Sequence, residues 1–260
     1  MSPARRLLFG CLALAAVVLV AGVALARVLG GTGAPAVAVP QDRPGTVVLV
    51  PGYGGSTRAL QALARQLQAD GREAVVVALP DDGTGDLRET ASVLDSVVAA
   101  ALANGAPSVD VVGYSAGGVT ARYWLRELGG AARTRRLVTL GSPSHGTRLA
   151  EQGAALGLAV CPLACQQLVP GSDLLAQLNR GDETPEGPAY LALWTVQDTT
   201  VTPPGSGALE GAVSLAVQDV CPGRTITHGQ LPTDPAVTGL VRAALGAGPL
   251  TAPTACPVSS

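Results

Sequence analysis

The sequence predicts an α/β domain built on a mostly parallel sheet of about six strands, with helices on both faces. Three observations lead there. Short aliphatic, β-branched runs recur along the chain; amphipathic helical patterns lie between the early ones; and 47% of the 260 residues are hydrophobic, enough for a sizeable core. A mean hydropathy of +0.35 excludes a disordered chain. Only 3% of residues are aromatic, so the core must be built from Val, Leu and Ala.

The runs can be taken in order. Thr46 to Val50, bounded by Pro and Gly, is continuous rather than alternating, which suits a strand buried on both faces. Ala74 to Leu79, Val109 to Val112, Leu137 to Leu140 and Leu191 to Val196 follow, with a weaker run from Val213 to Val217. Between the first two, Leu60, Leu63, Ala64 and Leu67 fall on one helical face and Arg58, Gln61, Arg65 and Gln68 elsewhere. A second helix carries Leu94, Val97, Val98, Ala101 and Leu102 and stops at Asn104-Gly105. A third runs from Val119 to Leu128, and the last opens after Asp234-Pro235 and closes at Gly246. From Ser144 to Tyr190 no clear strand is seen, and a loop-and-helix insertion is expected.

Outside this domain, expected over residues 45–247, the ends read differently. Arg5-Arg6 precedes an apolar run from Leu7 to Ala26 that closes in an Ala-x-Ala arrangement, Ala24 and Ala26. This predicts an export signal over residues 1–26, with an uncleaved membrane anchor over residues 7–26 as the alternative. Residues 27–44 read as a linker and 248–260 as a tail. The expected location is extracellular. Cys161, Cys165, Cys221 and Cys256 are then an even set of disulfide candidates. Spacing favours Cys161 with Cys165 and hence Cys221 with Cys256, while sequence alone leaves the other pairings open.

Composition narrows the partners. There is no Lys, and the 17 basic residues are Arg scattered among 19 acidic ones, for a net charge of −2. Phosphate binding needs clustered positive charge, so nucleic acid is not an expected partner. With only two histidines, His145 and His228, the cysteines do not read as a zinc site. No dinucleotide fingerprint or calcium loop is visible, and no cofactor is expected.

Chemistry is concentrated after the third strand. Gly113-Tyr114-Ser115-Ala116-Gly117 is a G-x-S-x-G pattern between a strand and a helix, the setting in which a tight turn lifts a serine hydroxyl to the carboxyl end of the sheet. A serine needs a base, and the base an orienting acid. His228 is the histidine late enough for the order Ser, acid, His, and Asp198 at the end of the fifth strand is the expected acid. Asp219 is the runner-up, and His145 is expected at the site rim. Two backbone donors should hold the oxyanion: Ala116 N–H, and Tyr53 N–H from the Gly-rich loop Pro51-Gly52-Tyr53-Gly54-Gly55-Ser56.

Together with Gly141-Ser142-Pro143 and Thr227-His228-Gly229, these motifs resemble the secreted bacterial α/β-hydrolase lipases, especially the class 2 group, over residues 44–246. The resemblance implies a carboxylesterase acting on lipid esters, with Ser115, Asp198 and His228 as triad and Tyr53 and Ala116 as oxyanion donors. Two positions depart from the family pattern: Pro51 and Tyr114 stand where histidines are usual. A short-chain esterase or acyltransferase would use the same residues, and a non-catalytic binding protein on the same scaffold is the remaining alternative. The expected protein is a monomer that meets a lipid interface transiently. The apolar stretch Ala154 to Val160, with Pro162 to Ala164, is either a buried helix or a wall of the acyl site.

Overall fold

The computed structural model describes residues 39–257 apart from residue 158. The expected signal or anchor, the first part of the expected linker and the last three residues of the tail lie outside the described residues.

A six-stranded parallel sheet runs in the order β2-β1-β3-β4-β5-β6. Its strands are β1 (Thr46–Val50), β2 (Ala74–Val76), β3 (Val109–Tyr114), β4 (Thr134–Leu140), β5 (Ala189–Trp194) and β6 (Val213–Ala216). The helices are α1 (Arg58–Ala69), α2 (Leu87–Ala103), α3 (Ala116–Glu127), α4 (Arg148–Ala155), α5 (Leu163–Gln167), α6 (Asp173–Leu178), α7 (Val217–Val220) and α8 (Pro235–Ala244). The architecture is the α/β-hydrolase fold.

Period-two geometry explains why β1 shows no alternation. Val47 and Leu49 point into a core shared with α1 and α8, while Val48 and Val50 point into one shared with α2 and α3. Both faces are covered, so every position is apolar except Thr46, whose hydroxyl donates to Glu73 at 2.7 Å. A third, smaller core joins α3 to the insertion through Val119, Ala150, Leu168 and Leu174.

Strand bounds differ from the sequence reading by one or two residues at the ends of β3, β5 and β6, and by three residues in two places. β2 ends at Val76, although Val77 still donates to Leu49 O; Pro80 follows and cannot supply a ladder N–H. β4 begins three residues earlier than its apolar run, at Thr134, and takes in Arg135 and Arg136, both buried. Their charges are met by Asp110 on β3 and by carbonyl groups at the C-terminus of α8. The end segments also join the domain. Val39 is buried, Gln41 O accepts from Arg135, and Cys256 is bonded to Cys221.

Chain order reverses beside β1: the chain steps outward to β2 and then returns to β3 on the other side. In open α/β sheets the crevice at such a switch point, at the carboxyl ends of the strands, is where ligands bind. Here it is flanked by the Gly-rich loop after β1 and by Ser115 after β3.

Candidate active site

Ser115 joins β3 to α3 with φ 53 and ψ −127, a left-handed conformation rare for a residue with a side chain. Three glycines make the turn possible. A Cβ on Gly113 would stand 2.4 Å from Gly118 Cα, one on Gly117 2.2 Å from Val50 O, and one on Gly118 2.0 Å from Ser142 Oγ. The serine is pinned by its own amide, which donates to Leu140 O at 2.9 Å. Ala116, first residue of α3, has an amide the helix cannot use, at the positive end of the helix dipole.

Asp198 is buried in the turn after β5. Its Oδ1 accepts from the amides of Thr200 and Val201, each at 2.8 Å, and its Oδ2 lies 2.7 Å from His228 Nδ1. With both oxygens engaged, the carboxylate has one orientation. A neutral imidazole donating from Nδ1 presents the lone pair of Nε2, the arrangement of a general base. Around the ring, Tyr114 lies 5.2 Å away centroid to centroid, and its hydroxyl donates to His228 O at 3.3 Å. Burial, with the charge of Asp198 added, pushes the Tyr114 phenol up to about 12, so it remains a neutral donor.

Three further side chains fasten the histidine loop. Gln218 Nε2 donates to Arg224 O and to Gln197 Oε1, Gln197 Oε1 accepts from Ile226 N, and Thr195 Oγ1 donates to Ile226 O. Asp219, the alternative acid, instead accepts from Ala216 N and caps α7. His145 bonds Ser206 O and Glu183, and it is absent from the cleft lining.

A cleft of about 270 Å³ opens beside Ser115 and Tyr53. Pro143, Thr147, Thr200 and Val201 line it from the loops after β4 and β5, and Leu149, Ala150, Gly153, Val160, Cys165 and Leu168 from the insertion. None of these carries a charge. The apolar stretch seen in the sequence therefore borders the cleft, with Val160 in its lining. Thr147 joins the two sides: its hydroxyl donates to Thr200 O and accepts from Thr202 N, and it caps α4. Behind it, buried Arg122 donates to Ser144 O, Leu178 O and Asn179; desolvation lowers its pKa to about 10. Thr147, Arg122 and Gln218 were not singled out by sequence reasoning. Thr147 alone had a readable signal, as a capping residue ahead of Leu149, Ala150 and Gly153 on one helical face.

Cys161 is bonded to Cys165 and Cys221 to Cys256. Among the described residues, no group of three or more His, Cys, Asp or Glu side chains could hold a metal ion, and no helix is long and apolar enough to cross a membrane.

Fold and site together define the class: an α/β-hydrolase with a strained serine turn between β3 and α3. Residues 91–235 match the family model for lipase (class 2), and the chain belongs to that family. Among solved structures it is similar to Bacillus licheniformis lipase BlEst2 in its mature form, at 18% identity and a TM-score of 0.64 over 78% of this chain and 92% of that one. It is also similar to Aspergillus fumigatus lipase B, at 16% identity and a TM-score of 0.63 over 78% of this chain. The chain spans about half the length of the fungal protein, covering 52% of it. At these identities the likeness concerns the fold. No curated protein matches the chain.

Proposed function

We propose that the chain is an exported serine hydrolase that cleaves lipid carboxylic esters through an acyl-enzyme on Ser115. The observation that carries this reading is the buried 2.7 Å contact between Asp198 and His228, set at the same sheet edge as the strained Ser115 turn. His228 Nε2 takes the hydroxyl proton as Oγ attacks the ester carbonyl, and the oxyanion is held by the amides of Tyr53 and Ala116. The C–O bond to the alcohol then breaks as His228 returns the proton, and water, activated by the same imidazole, releases the acid.

The uncharged cleft supports an aliphatic acyl group, each methylene contributing about 0.8 kcal/mol when buried, so longer esters should be preferred over acetyl esters. Exposed Leu149, Leu156, Val160 and Leu163 around it support transient contact of a monomer with a lipid surface. Two disulfides support an oxidising destination outside the cytoplasm.

The test is fluorophosphonate labelling followed by a chain-length series. Wild type should be labelled at Ser115, Ser115→Ala should not, and the variant's kcat/KM should fall by about 10⁴ or more. Retention of a tenth of the activity in Ser115→Ala would end the proposal. A steady decline of kcat/KM from acetyl through butyryl to octanoyl esters would make the protein a short-chain esterase instead.

A further inference from the structure

The insertion holds its cleft-facing residues in two different ways. Short helix α5, which supplies Cys165, is anchored to the body of the domain. Ala164 N donates to Thr84 O at 3.1 Å, Gln167 Oε1 accepts from Leu87 N at 2.8 Å, and Gln167 Nε2 donates to Asp86 at 2.6 Å. The loop between α4 and α5, which supplies Val160, is not. Its backbone bonds among the described residues close on the loop and the end of α4: Leu156 N to Gly153 O, and Val160 N and Cys161 N to Gly157 O. Among the described residues its large apolar side chains are unburied, Leu156 being 72% and Val160 55% exposed.

One residue of this loop turns inward. Cys161 is fully buried, its sulfur 3.7 Å from Ala150 O, and Gln166 Nε2 donates to its carbonyl at 3.0 Å. It is bonded to Cys165, and Cys165 itself lines the cleft beside Ala150, Gly153 and Leu168. The covalent link therefore ties the described part of this loop to an anchored helix, with one of its two cysteines in the cleft lining. A bond closing so short a loop removes little chain entropy from the unfolded state compared with one joining distant segments. What it fixes is local geometry.

We infer that the Cys161–Cys165 disulfide determines acyl specificity: it clasps the Val160 loop in place as one wall of the acyl cleft. The inference rests on the hydrolase reading above and adds to it which structure sets chain-length preference. An acyl chain reaching past Ser115 packs against Val160 and Cys165 only while the loop is held, and an acetyl group is too short to reach them.

The test compares kcat/KM for octanoyl and acetyl esters in wild type, Cys161→Ser, Cys161→Ala/Cys165→Ala and Cys256→Ser, each normalised to Ser115 titrated with fluorophosphonate. Cys161→Ser breaks the bond while leaving the Cys165 side chain in the lining. The octanoyl-to-acetyl ratio should fall by about tenfold or more in both cleft variants, at about fourfold per methylene that loses its wall. It should not move in Cys256→Ser, whose bond lies outside the cleft. If a cleft variant does not accumulate, folded wild type reduced with dithiothreitol, its thiols counted by mass spectrometry, gives the same comparison. An unchanged or raised ratio, or an equal loss on both esters, would overturn the inference. The change in ratio is read against wild type whichever way the wild-type series slopes, so a short-chain preference would revise the substrate without deciding this point. Wild type that fails to label at Ser115 would sink the hydrolase reading, and this inference with it.

Discussion

At Gly52 a single hydrogen stands where any other residue would carry carbon. A Cβ there would lie 2.8 Å from Ser115 Cβ and 3.1 Å from Tyr114 O, so the loop after β1 and the Ser115 turn approach as closely as glycine permits. Gly52→Ala must push Tyr53 away from the serine. If Tyr53 N–H is an oxyanion donor, kcat should fall on the order of 10² to 10³ with KM little changed, the loss typical of removing one such donor. Saturation kinetics on one ester check this, and a KM effect with kcat intact would move Tyr53 from the oxyanion to substrate binding. Tyr114 yields a second residue-scale prediction. Its phenol is raised from 10.0 to about 12 by burial and the charge of Asp198. A folded-state pKa above the unfolded one gives stability that is fully present below pH 10 and lost as pH rises towards the folded value. Urea midpoints should therefore decline between about pH 10 and 12, and Tyr114→Phe should make that decline shallower. Tyr190, whose phenol burial raises still further, contributes in the same direction.

Among the elements, α8 follows the His228 turn, and Asp234 begins it. Asp234 Oδ1 accepts from Ala236 N at 2.9 Å and Val237 N at 3.3 Å, and both carboxylate oxygens meet Arg224 Nε, at 3.0 and 3.1 Å. Removing the cap in Asp234→Ala should cost about 1–2 kcal/mol, to which the partly exposed ion pair adds little. Asp234→Asn keeps a capping oxygen and should recover most of the loss in urea unfolding; equal losses in the two variants would assign the stability to the ion pair. This cap was readable in the sequence as Asp-Pro ahead of an apolar period, and so was every strand that sits between covered faces. The amino-terminal half of β4 was not, because Thr134-Arg135-Arg136 carries the polarity of a loop, and its partners, Asp110 and the end of α8, are distant in sequence. The insertion was expected to hold helices, but their positions were not legible. At five to eight residues they are too short to show a helical period, and they are held by single tertiary bonds such as Gln167 to Leu87 N. The same division holds for the site. Ser115, Asp198 and His228 stood out through a local motif, a strand end and an order rule, whereas Arg122 and Gln218 act through backbone carbonyls that sequence does not mark.

Across the whole molecule the parallel sheet separates two tasks. Its carboxyl end carries the strained turn, the acid and the imidazole, and its amino end carries a buried ionic staple. There Asp110, fully buried on β3, accepts from Arg135 Nε at 2.9 Å and a terminal nitrogen at 2.5 Å, and from Arg72 at 2.7 Å. The two guanidiniums spend their other N–H groups on Gln41 O, Gly45 O, Leu245 O and Gly246 O, so one carboxylate gathers the start of the domain, the sheet and the negative end of α8. Breaking such a cluster by deleting one partner costs more than the pairs contribute, because the remaining charges stay buried without their counterion. Asp110→Ala should therefore destabilise the fold by about 3–5 kcal/mol, a large share of the ~5–15 kcal/mol available to a domain. The proposed chemistry stands at the opposite end of β3, so turnover per titrated Ser115 in the folded fraction should stay within about twofold of wild type, the behaviour expected of independent sites. Urea denaturation beside active-site titration separates the two effects. A loss below about 1 kcal/mol would show that the helix-end carbonyls alone satisfy the arginines, whereas reduced turnover per labelled serine would mean that the staple also sets the geometry of the elbow.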